Sequence, residues 1–383
     1  MSRIRRIRRK KPRTGSVWKK LLLWGVLGLL VLAAAAVAGS YLYVRAYLKS
    51  DGFLAMLEQS AVDDMNVETA RIDPLDWDGS GIRCGGVVME GHEFLTSLQA
   101  RNIETEFSRW ELLKRAFVIT SVNIAELKLH LAPVSFRFRE KPEGPRSWAE
   151  ENILPDTFRL EKGSIDSLSV SYGEAGRLYV LDGARVESAY DAGSSQYRFD
   201  VRGGKLLLPF QGCPEFSLMS GTAQFNHSSR RVNIPSCRLT TDAGGYLDIK
   251  GDWDGSSSSW TANVVVNGVP VSSILEDHWR KHVHGSVSGG IDLRGGRDGV
   301  THVAGLARLQ GGMLTGLPVL DRLALFCGSS RFRNLPLHEA SAQFVYQESA
   351  WHISNILVES ENLVRVEAVS YTHLRAHETR RHL

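Results

Sequence analysis

The sequence predicts a mostly β protein that follows an N-terminal transmembrane helix. Residues 21–44 are uncharged and follow a strongly basic segment, which is typical of a membrane span. From about residue 66 onward, apolar and polar residues alternate with a period of two, and Gly, Asn, Asp or Ser recur roughly every ten residues, as in short strands joined by turns. Only short stretches show helical spacing, so we expect few helices.

The N-terminus predicts one membrane crossing. Residues 1–20 contain ten Lys and Arg and no acidic residue. A helix rises about 1.5 Å per residue, so the uncharged residues 21–44 can cross a hydrocarbon core of about 30 Å. Positively charged flanks stay in the cytoplasm, and we therefore expect the bulk of the chain to be exported. The small-residue pattern Ala36-Val37-Ala38 leaves cleavage as a signal peptide open as the alternative.

The charge distribution argues against a nucleic-acid partner. Without residues 1–20 and 372–383, the chain retains 33 basic and 41 acidic residues, so the exported part is mildly acidic. Nucleic-acid binding depends on a basic surface, which this part lacks. The basic N-terminal segment is better explained as a topology signal beside anionic lipid.

Four cysteines lie in the part predicted to be exported, where disulfides persist. They are Cys84, Cys213, Cys237 and Cys327. We expect a Cys213–Cys237 disulfide, because both residues flank predicted neighbouring strands. Four free buried thiols are the alternative, because spacing does not choose among the three possible pairings.

Residues 45–138 are predicted to form an N-terminal β module with short helices. A short helix is expected over residues 46–57, with Gly52 as an interruption. Ser108 and Glu111 form a capping box for a helical turn over residues 108–115. Alternation is weak in residues 67–72 and clear in residues 119–124 and 127–131, which predicts strands there.

Residues 139–156 are predicted to be a linker or loop, because Pro and Gly recur there. A central β-sheet is predicted over residues 157–270, with strands at 164–172, 177–181, 184–190, 197–202, 205–210, 221–226, 231–234, 245–252 and 260–266. This spacing favours an antiparallel meander, a sandwich or a barrel-like sheet.

Residues 271–370 are predicted to begin with a short helix over 271–279 and to continue with strands at 285–293, 303–310, 330–332, 341–346, 352–359 and 364–368. The helices are expected to close sheet edges. Residues 371–383 contain three His and three Arg without alternation and resemble vector read-through. We expect this tail to be non-native and the natural chain to have been cut near residues 368–370.

No residue is predicted to be catalytic, to bind a cofactor or to bind a metal. The cluster His278, His282, His284 and Glu276 is interpreted as a polar helix end with cations near its C-terminus. Gly311-Gly312 lacks a βαβ context and is interpreted as a turn or bulge between strands.

An acidic cluster near Pro74 and Trp77 lacks the register of a calcium loop and is interpreted as a solvated turn. Its members are Asp73, Asp76 and Asp78. The sequence also contains no G-x-S-x-G, P-loop or H-E-x-x-H motif. The sequence therefore nominates no nucleophile and no general base.

The order of these segments resembles the AsmA-like (TamB-related) family of bacterial envelope proteins, in a C-terminally truncated form. In the N-terminal half the resemblance lies in the anchor helix, the following helix, strands ending near residue 72 and at 100–103, the Leu112-Leu113 turn, and residues 119–129. In the C-terminal half it lies in residues 271–275, 284–295, 305–318 and 358–360. It covers loosely residues 20–370, and residues 140–260 carry no assigned motif.

The resemblance implies an elongated, curved antiparallel β-sheet shaped like a gutter, apolar inside, with a few short capping helices. It also implies a single-pass protein of the bacterial inner membrane with its bulk in the periplasm. Such a protein is non-enzymatic, needs no cofactor, binds or conducts phospholipid and supports outer-membrane biogenesis. Its implied partners are the inner membrane, phospholipid, and outer-membrane or other envelope proteins.

Apolar residues of the alternating strands are the candidates for lining this groove. They are Ile124, Leu127, Leu129, Leu247, Ile249 and Val264. The same residues fit an ordinary sealed sheet core, in which case the protein is a structural tether that binds only protein partners. An exported glycan-active enzyme is a third reading, which requires paired carboxylates in a cleft.

Overall fold

The computed structural model describes residues 46, 50–77, 81–91, 94–108, 116–133, 157–174, 176–209, 213–226, 228–275, 277–296, 299–347, 350–360, 363–368 and 374–375. They form one long curved β-sheet with a few short helices. The predicted segments 1–20, 21–44, 109–115 and 139–156 lie outside the described residues, as does the predicted tail 371–383 apart from residues 374–375. Within the described ranges, no helix combines the length and hydropathy that a bilayer crossing requires.

Helix α1 (Asp51–Met65) precedes the sheet. The Ser50 side chain caps it by accepting a hydrogen bond from the Phe53 amide at 3.3 Å, and Asn66 ends it in the left-handed conformation. The helix predicted over residues 46–57 therefore ends later than expected, at Met65, and the predicted interruption at Gly52 was wrong. Gly52 lies in the first helical turn, where amide groups have no intrahelical partner, and does not interrupt the helix.

The first part of the sheet contains ten strands. They are β1 (Thr69–Ile72), β2 (Asp76–Trp77), β3 (Gly81–Glu90), β4 (Leu95–Phe107), β5 (Ala116–Leu131), β6 (Thr157–Leu160), β7 (Lys162–Glu174), β8 (Arg177–Asp191), β9 (Gln196–Arg202) and β10 (Lys205–Leu207). Strand β3 and most of β4 were not predicted from alternation.

The second part contains β11 (Phe216–Asn226), β12 (Arg231–Thr241), β13 (Tyr246–Asp254), β14 (Ser259–Pro270), β15 (Val283–Gly296), β16 (Gly299–Thr315), β17 (Asn334–Leu337), β18 (Glu339–Gln347), β19 (Ala350–Ser360), β20 (Val364–Ala368) and β21 (Leu374–Arg375). Helices α2 (Val271–Ile274) and α3 (Asp277–Arg280) follow β14, and α4 (Pro318–Phe326) and a 3-10 helix (Ser330–Arg333) follow β16.

The sheet is antiparallel except at one position, which corrects the prediction of a wholly antiparallel sheet. Strand β5 pairs in parallel with β6 and with β7, so that Ile124 lies opposite Ile165 and Leu129 opposite Val170. Parallel neighbours need a crossover connection, and residues 132–156 between β5 and β6 are long enough to provide one.

Two pairs of predicted strands are single strands, because a local irregularity hides the continuity of each. Residues 119–124 and 127–131 belong to β5, and residues 177–181 and 184–190 belong to β8. Asn102 on β4 and Gly183 on β8 have positive φ values of 50° and 71°. The register of β7 and β8 shifts at Gly183, whereas at Asn102 the pairing with β5 is interrupted without a register shift. Irregularities of this kind disturb the alternation of side chains between the two faces.

The region after β14 also differs from the prediction. The expected helix over residues 271–279 is split into α2 and α3, because Leu275 between them is extended, with ψ of 150°. Residues 330–332, predicted as a strand, lie in the 3-10 helix, and α4 was not predicted although Pro318 supplies a helix-start signal. The bulge expected at Gly311-Gly312 is confirmed: Gly311 has φ of 58° where the register of β15 and β16 shifts.

Two apolar clusters stabilise the sheet. In the first, Phe216, Leu218 and Leu239 are buried against side chains of neighbouring strands. In the second, Leu320 of α4 is buried with Leu335 and Leu337 of β17. Helix α4 therefore covers part of the sheet near its C-terminal end.

Candidate functional site

One row of directly paired residues crosses fourteen strands, and every member is apolar or glycine. We call it the central row: Cys84, Ile103, Ile124, Ile165, Val186, Val201, Gly221, Cys237, Ile249, Val264, Ile291, Gly305, Phe344 and Ile353. Neighbouring strands lie about 4.8 Å apart, so the row is on the order of 60 Å long.

Two further apolar rows lie on the same side of the sheet, and we call them the inner rows. One contains Leu98, Leu129, Val170, Leu181, Leu206 and Phe216, and the other contains Leu218, Leu239, Leu247, Val266, Gly289, Ala307 and Ala342. The cluster around Phe216 contacts members of both inner rows together with Val201, Cys237 and Ile249 of the central row. The three rows therefore share one apolar face.

The structure places the six predicted groove residues in such rows. Ile124, Ile249 and Val264 belong to the central row, where Val264 pairs with Ile249 on one side and with Ile291 on the other. Leu129 and Leu247 belong to the inner rows. Leu127 lies in a shorter row between Ala100 and Leu168.

The apolar face is partly open to solvent. Cys84 and Val186 are 7% exposed, and the other twelve members of the central row are half-buried. The six predicted groove residues are all half-buried as well. A sealed sheet core would bury these side chains fully, so the face can offer apolar surface to a ligand.

The opposite, polar face carries cross-strand ion pairs. On β13, Asp248 alternates with Leu247 and Ile249 and accepts hydrogen bonds from the Arg238 guanidinium at 2.6 and 2.7 Å. These hydrogen bonds lower the pKa of Asp248. Similar pairs join other neighbouring strands: Arg83–Glu104, Arg101–Glu126, Arg185–Asp166 and Arg231–Asp254. Each contributes little to stability, but together they keep the two faces chemically distinct.

All four cysteines are free, so the predicted Cys213–Cys237 disulfide is wrong. Both side chains instead contact the cluster around Phe216. Burial raises the pKa of the Cys213 and Cys237 thiols, which disfavours the reactive thiolate. The alternative of four free buried thiols is confirmed for their free state only: Cys84 is buried, Cys213 and Cys237 are half-buried, and Cys327 is exposed.

The histidine cluster makes structural contacts. The His278 and His282 rings lie 5.6 Å apart edge to face, and His282 Nδ1 lies 2.8 Å from the Thr315 carbonyl oxygen. His284 Nε2 lies 3.3 Å from Thr315 Oγ1. Glu276 lies outside the described residues, and among those that the structure describes no group of three or more His, Cys, Asp or Glu is placed to hold a metal ion.

A depression of about 510 Å³ near the turns of β11–β14 is lined mostly by polar side chains, together with Val232, Trp253 and Trp260. Its carboxylates are already bonded: Asp252 accepts a hydrogen bond from Asn233 at 2.6 Å. Asp254 pairs with Arg231 at 3.2 Å. The depression therefore offers bonded surface side chains and no arranged acid–base pair of the kind that glycoside hydrolysis uses.

Several members of the central row were missed from the sequence, among them Val201 and Ile291. Alternation placed each in a strand, but which residues lie opposite one another depends on register, which bulges and loop lengths decide.

Comparison of the chain with models of known protein families, with curated proteins and with solved structures finds no match.

Proposed function

We propose that this chain is a non-enzymatic, inner-membrane-anchored envelope protein whose exported sheet binds or conducts phospholipid along its apolar face and supports outer-membrane biogenesis. The observation that supports this most is the central row, which is apolar across fourteen strands and half-buried over most of its length. The uncharged residues 21–44 behind a basic segment support the anchor.

The energetics favour a lipid ligand. Keeping one CH₂ group out of water is worth about 0.8 kcal/mol, so an acyl chain that remains on an apolar surface avoids most of the cost of crossing water. A row on the order of 60 Å long lets the acyl chain move between equivalent positions without leaving the apolar surface. The opposite face carries cross-strand ion pairs and offers an acyl chain no comparable apolar row.

Site-specific photo-crosslinking in cells tests this proposal. A photoreactive residue is placed at Ile249 or Val264 on the apolar face, and the adducts are analysed by mass spectrometry for phospholipid. The matched controls are Lys250 and Asn263, which follow Ile249 and precede Val264 in their strands and belong to the polar face.

We expect phospholipid adducts at Ile249 and Val264 and none at Lys250 and Asn263. Protein adducts without lipid at the two apolar positions, in a protein that resists limited proteolysis as the unmodified chain does, would overturn the proposal and favour a structural tether. Equal lipid adducts at all four positions would show non-specific contact with membrane and would also count against it.

A further inference from the structure

One edge of the apolar face is formed by repeated hairpins, and we call it the hairpin edge. Each hairpin has a four-residue loop that follows an Asp or Asn, whose side chain accepts hydrogen bonds from loop amides or hydroxyls. Each loop ends in a residue with φ near 53°. The three hairpins join β8 to β9 after Asp191, β11 to β12 after Asn226, and β13 to β14 after Asp254.

Large aromatic side chains lie just inside this edge. A directly paired row, which we call the aromatic row, contains Tyr190, Tyr197, Phe225, Val232, Trp253 and Trp260. Trp253 lies four residues from Ile249 on β13, which places both on the apolar face. The Tyr190 and Tyr197 rings lie 4.9 Å apart, and Trp253 is 42% exposed.

The same pattern continues at this edge on later strands. Tyr346 on β18 pairs with Trp351 on β19, next to the turn that joins these strands, and their rings lie 5.0 Å apart. Trp and Tyr combine an apolar ring with a polar N–H or O–H group, which suits them to the boundary between hydrocarbon and water.

The opposite edge of the apolar face is open at β7 and β8, where Tyr172 and Tyr179 are exposed, and carries buried side chains on later strands. Phe216 is 5% exposed, Val269 is 3% exposed and Leu337, packed with α4, is 7% exposed. Tyr172 and Tyr179 form an aromatic pair at that edge, confined to β7 and β8. From β9 onward, the face therefore changes from a polar hairpin edge, through an aromatic row that is half-buried except for the exposed Trp253, to buried apolar side chains.

The depth of the face matches one acyl chain. Trp253 and Leu247 are six residues apart on β13, which corresponds to about 20 Å along the strand. Half of a bilayer's hydrocarbon core is about 15 Å thick. An acyl chain that starts at the aromatic row can thus extend over apolar surface to the inner row that contains Leu247.

We infer that a bound lipid lies along the strands in one orientation, with its glycerol-ester region at the aromatic row, its acyl chains directed toward Leu247 and Val266, and its headgroup beyond the hairpin edge. This inference rests on the proposed function, because it assigns an orientation to the phospholipid that occupies the apolar face. The gradient from polar loops through Trp and Tyr to aliphatic residues follows the order of chemical groups along a diacyl lipid.

Two photoreactive phospholipids test the orientation on the purified full-length protein. One carries a diazirine beside the acyl carbonyl, and the other carries it at the end of the acyl chain. After irradiation, peptide mass spectrometry locates the adducts on β13 and β14. We expect the carbonyl-proximal probe to label around Trp253 and Trp260, and the chain-end probe to label around Leu247 and Val266.

The outcomes separate the orientation from the proposed function. The reversed pattern, or equal labelling of both regions by both probes, would overturn the orientation while leaving lipid binding intact. Labelling of the apolar face by neither probe would overturn both. In the variant Trp253→Leu, which keeps the site apolar but removes the indole, carbonyl-proximal labelling at the hairpin edge should fall about three- to tenfold.

The matched control is Trp279→Leu, which removes an indole that is 46% exposed and lies on α3, off the sheet. It should leave both labelling patterns unchanged. If Trp253→Leu labels as the unsubstituted protein does, the aromatic row does not position the lipid.

Discussion

Gly305 lies in the central row, and substitution by alanine should disrupt the sheet locally. A Cβ atom there would lie 2.5 Å from Cζ of Phe344 and 2.7 Å from the carbonyl oxygen of Gly290. Carbon atoms in favourable contact are about 3.5–4.0 Å apart, so the Phe344 ring would have to retreat by about 1 Å. The Gly290 oxygen belongs to the backbone of the paired strand, so it cannot move away as a flexible side chain does.

The cost follows from these two contacts. Forcing an extra methyl group into a packed site costs about 1–3 kcal/mol, because side chains and backbone must shift. The displaced ring also packs 6.2 Å from Trp351, centroid to centroid, so the disturbance should reach β19. Gly290→Ala is a matched control, since a Cβ at Gly290 meets no atom within 4 Å.

Hydrogen exchange on the full-length protein measures this effect. In Gly305→Ala, a loss of about 1–3 kcal/mol of local stability should accelerate amide exchange in β16, β18 and β19 by roughly five- to 150-fold. Gly290→Ala should exchange as the unsubstituted protein does or slightly more slowly, because alanine restricts the unfolded chain. Unchanged protection in Gly305→Ala, or equal loss in both variants, would refute the packing of Phe344 over Gly305.

Two further predictions concern titratable groups. With a maleimide at neutral pH, Cys327 should react first because it is exposed. Cys84 and Cys237 should react slowly because burial raises the pKa of their thiols. Equal reaction rates of the three cysteines in the folded protein would contradict this. In Arg238→Ala, NMR titration should show the pKa of Asp248 rising toward its ordinary value of about 3.9, because the hydrogen bonds that lower it are lost. Since the pKa of Asp248 is lowered in the folded protein, the pair stabilises the fold at pH values above the unfolded pKa, and this contribution disappears as the pH falls through the folded pKa. If Asp248 titrates in Arg238→Ala as it does in the unsubstituted protein, the pair does not form.

Alternation predicted the sheet best where strands are regular. Residues 245–252 and 260–266 were predicted as strands from their alternation; β13 contains the first range from Tyr246 onward, and β14 contains the second. The prediction failed where a bulge shifts the pattern, as at Gly183, or where a strand is rich in glycine and polar residues, as in β3. It also could not find the parallel pairing of β5 and β7, because no local pattern reports which strand a chain meets after a long connection.

The candidate site was predictable as a set of residues but not as a surface. Ile249 and Val264 were chosen because they alternate with polar neighbours, and the structure pairs them directly. Their continuation through Ile291, Gly305 and Phe344 depends on register, which hydrogen bonding along whole strands determines. The membrane anchor over residues 21–44 stays a prediction.

The parallel pairing of β5 with β7 has a consequence for how the chain folds. On either side of this seam, most strands are joined to their neighbours by short hairpins, and such local contacts form early because closing a short loop costs little entropy. The seam joins residues about forty positions apart, such as Leu129 and Val170, and must close a much longer loop. Two meanders can therefore form independently during synthesis, and we expect their union at β5 and β7, which makes the apolar face continuous, to be slower than the closure of the hairpins.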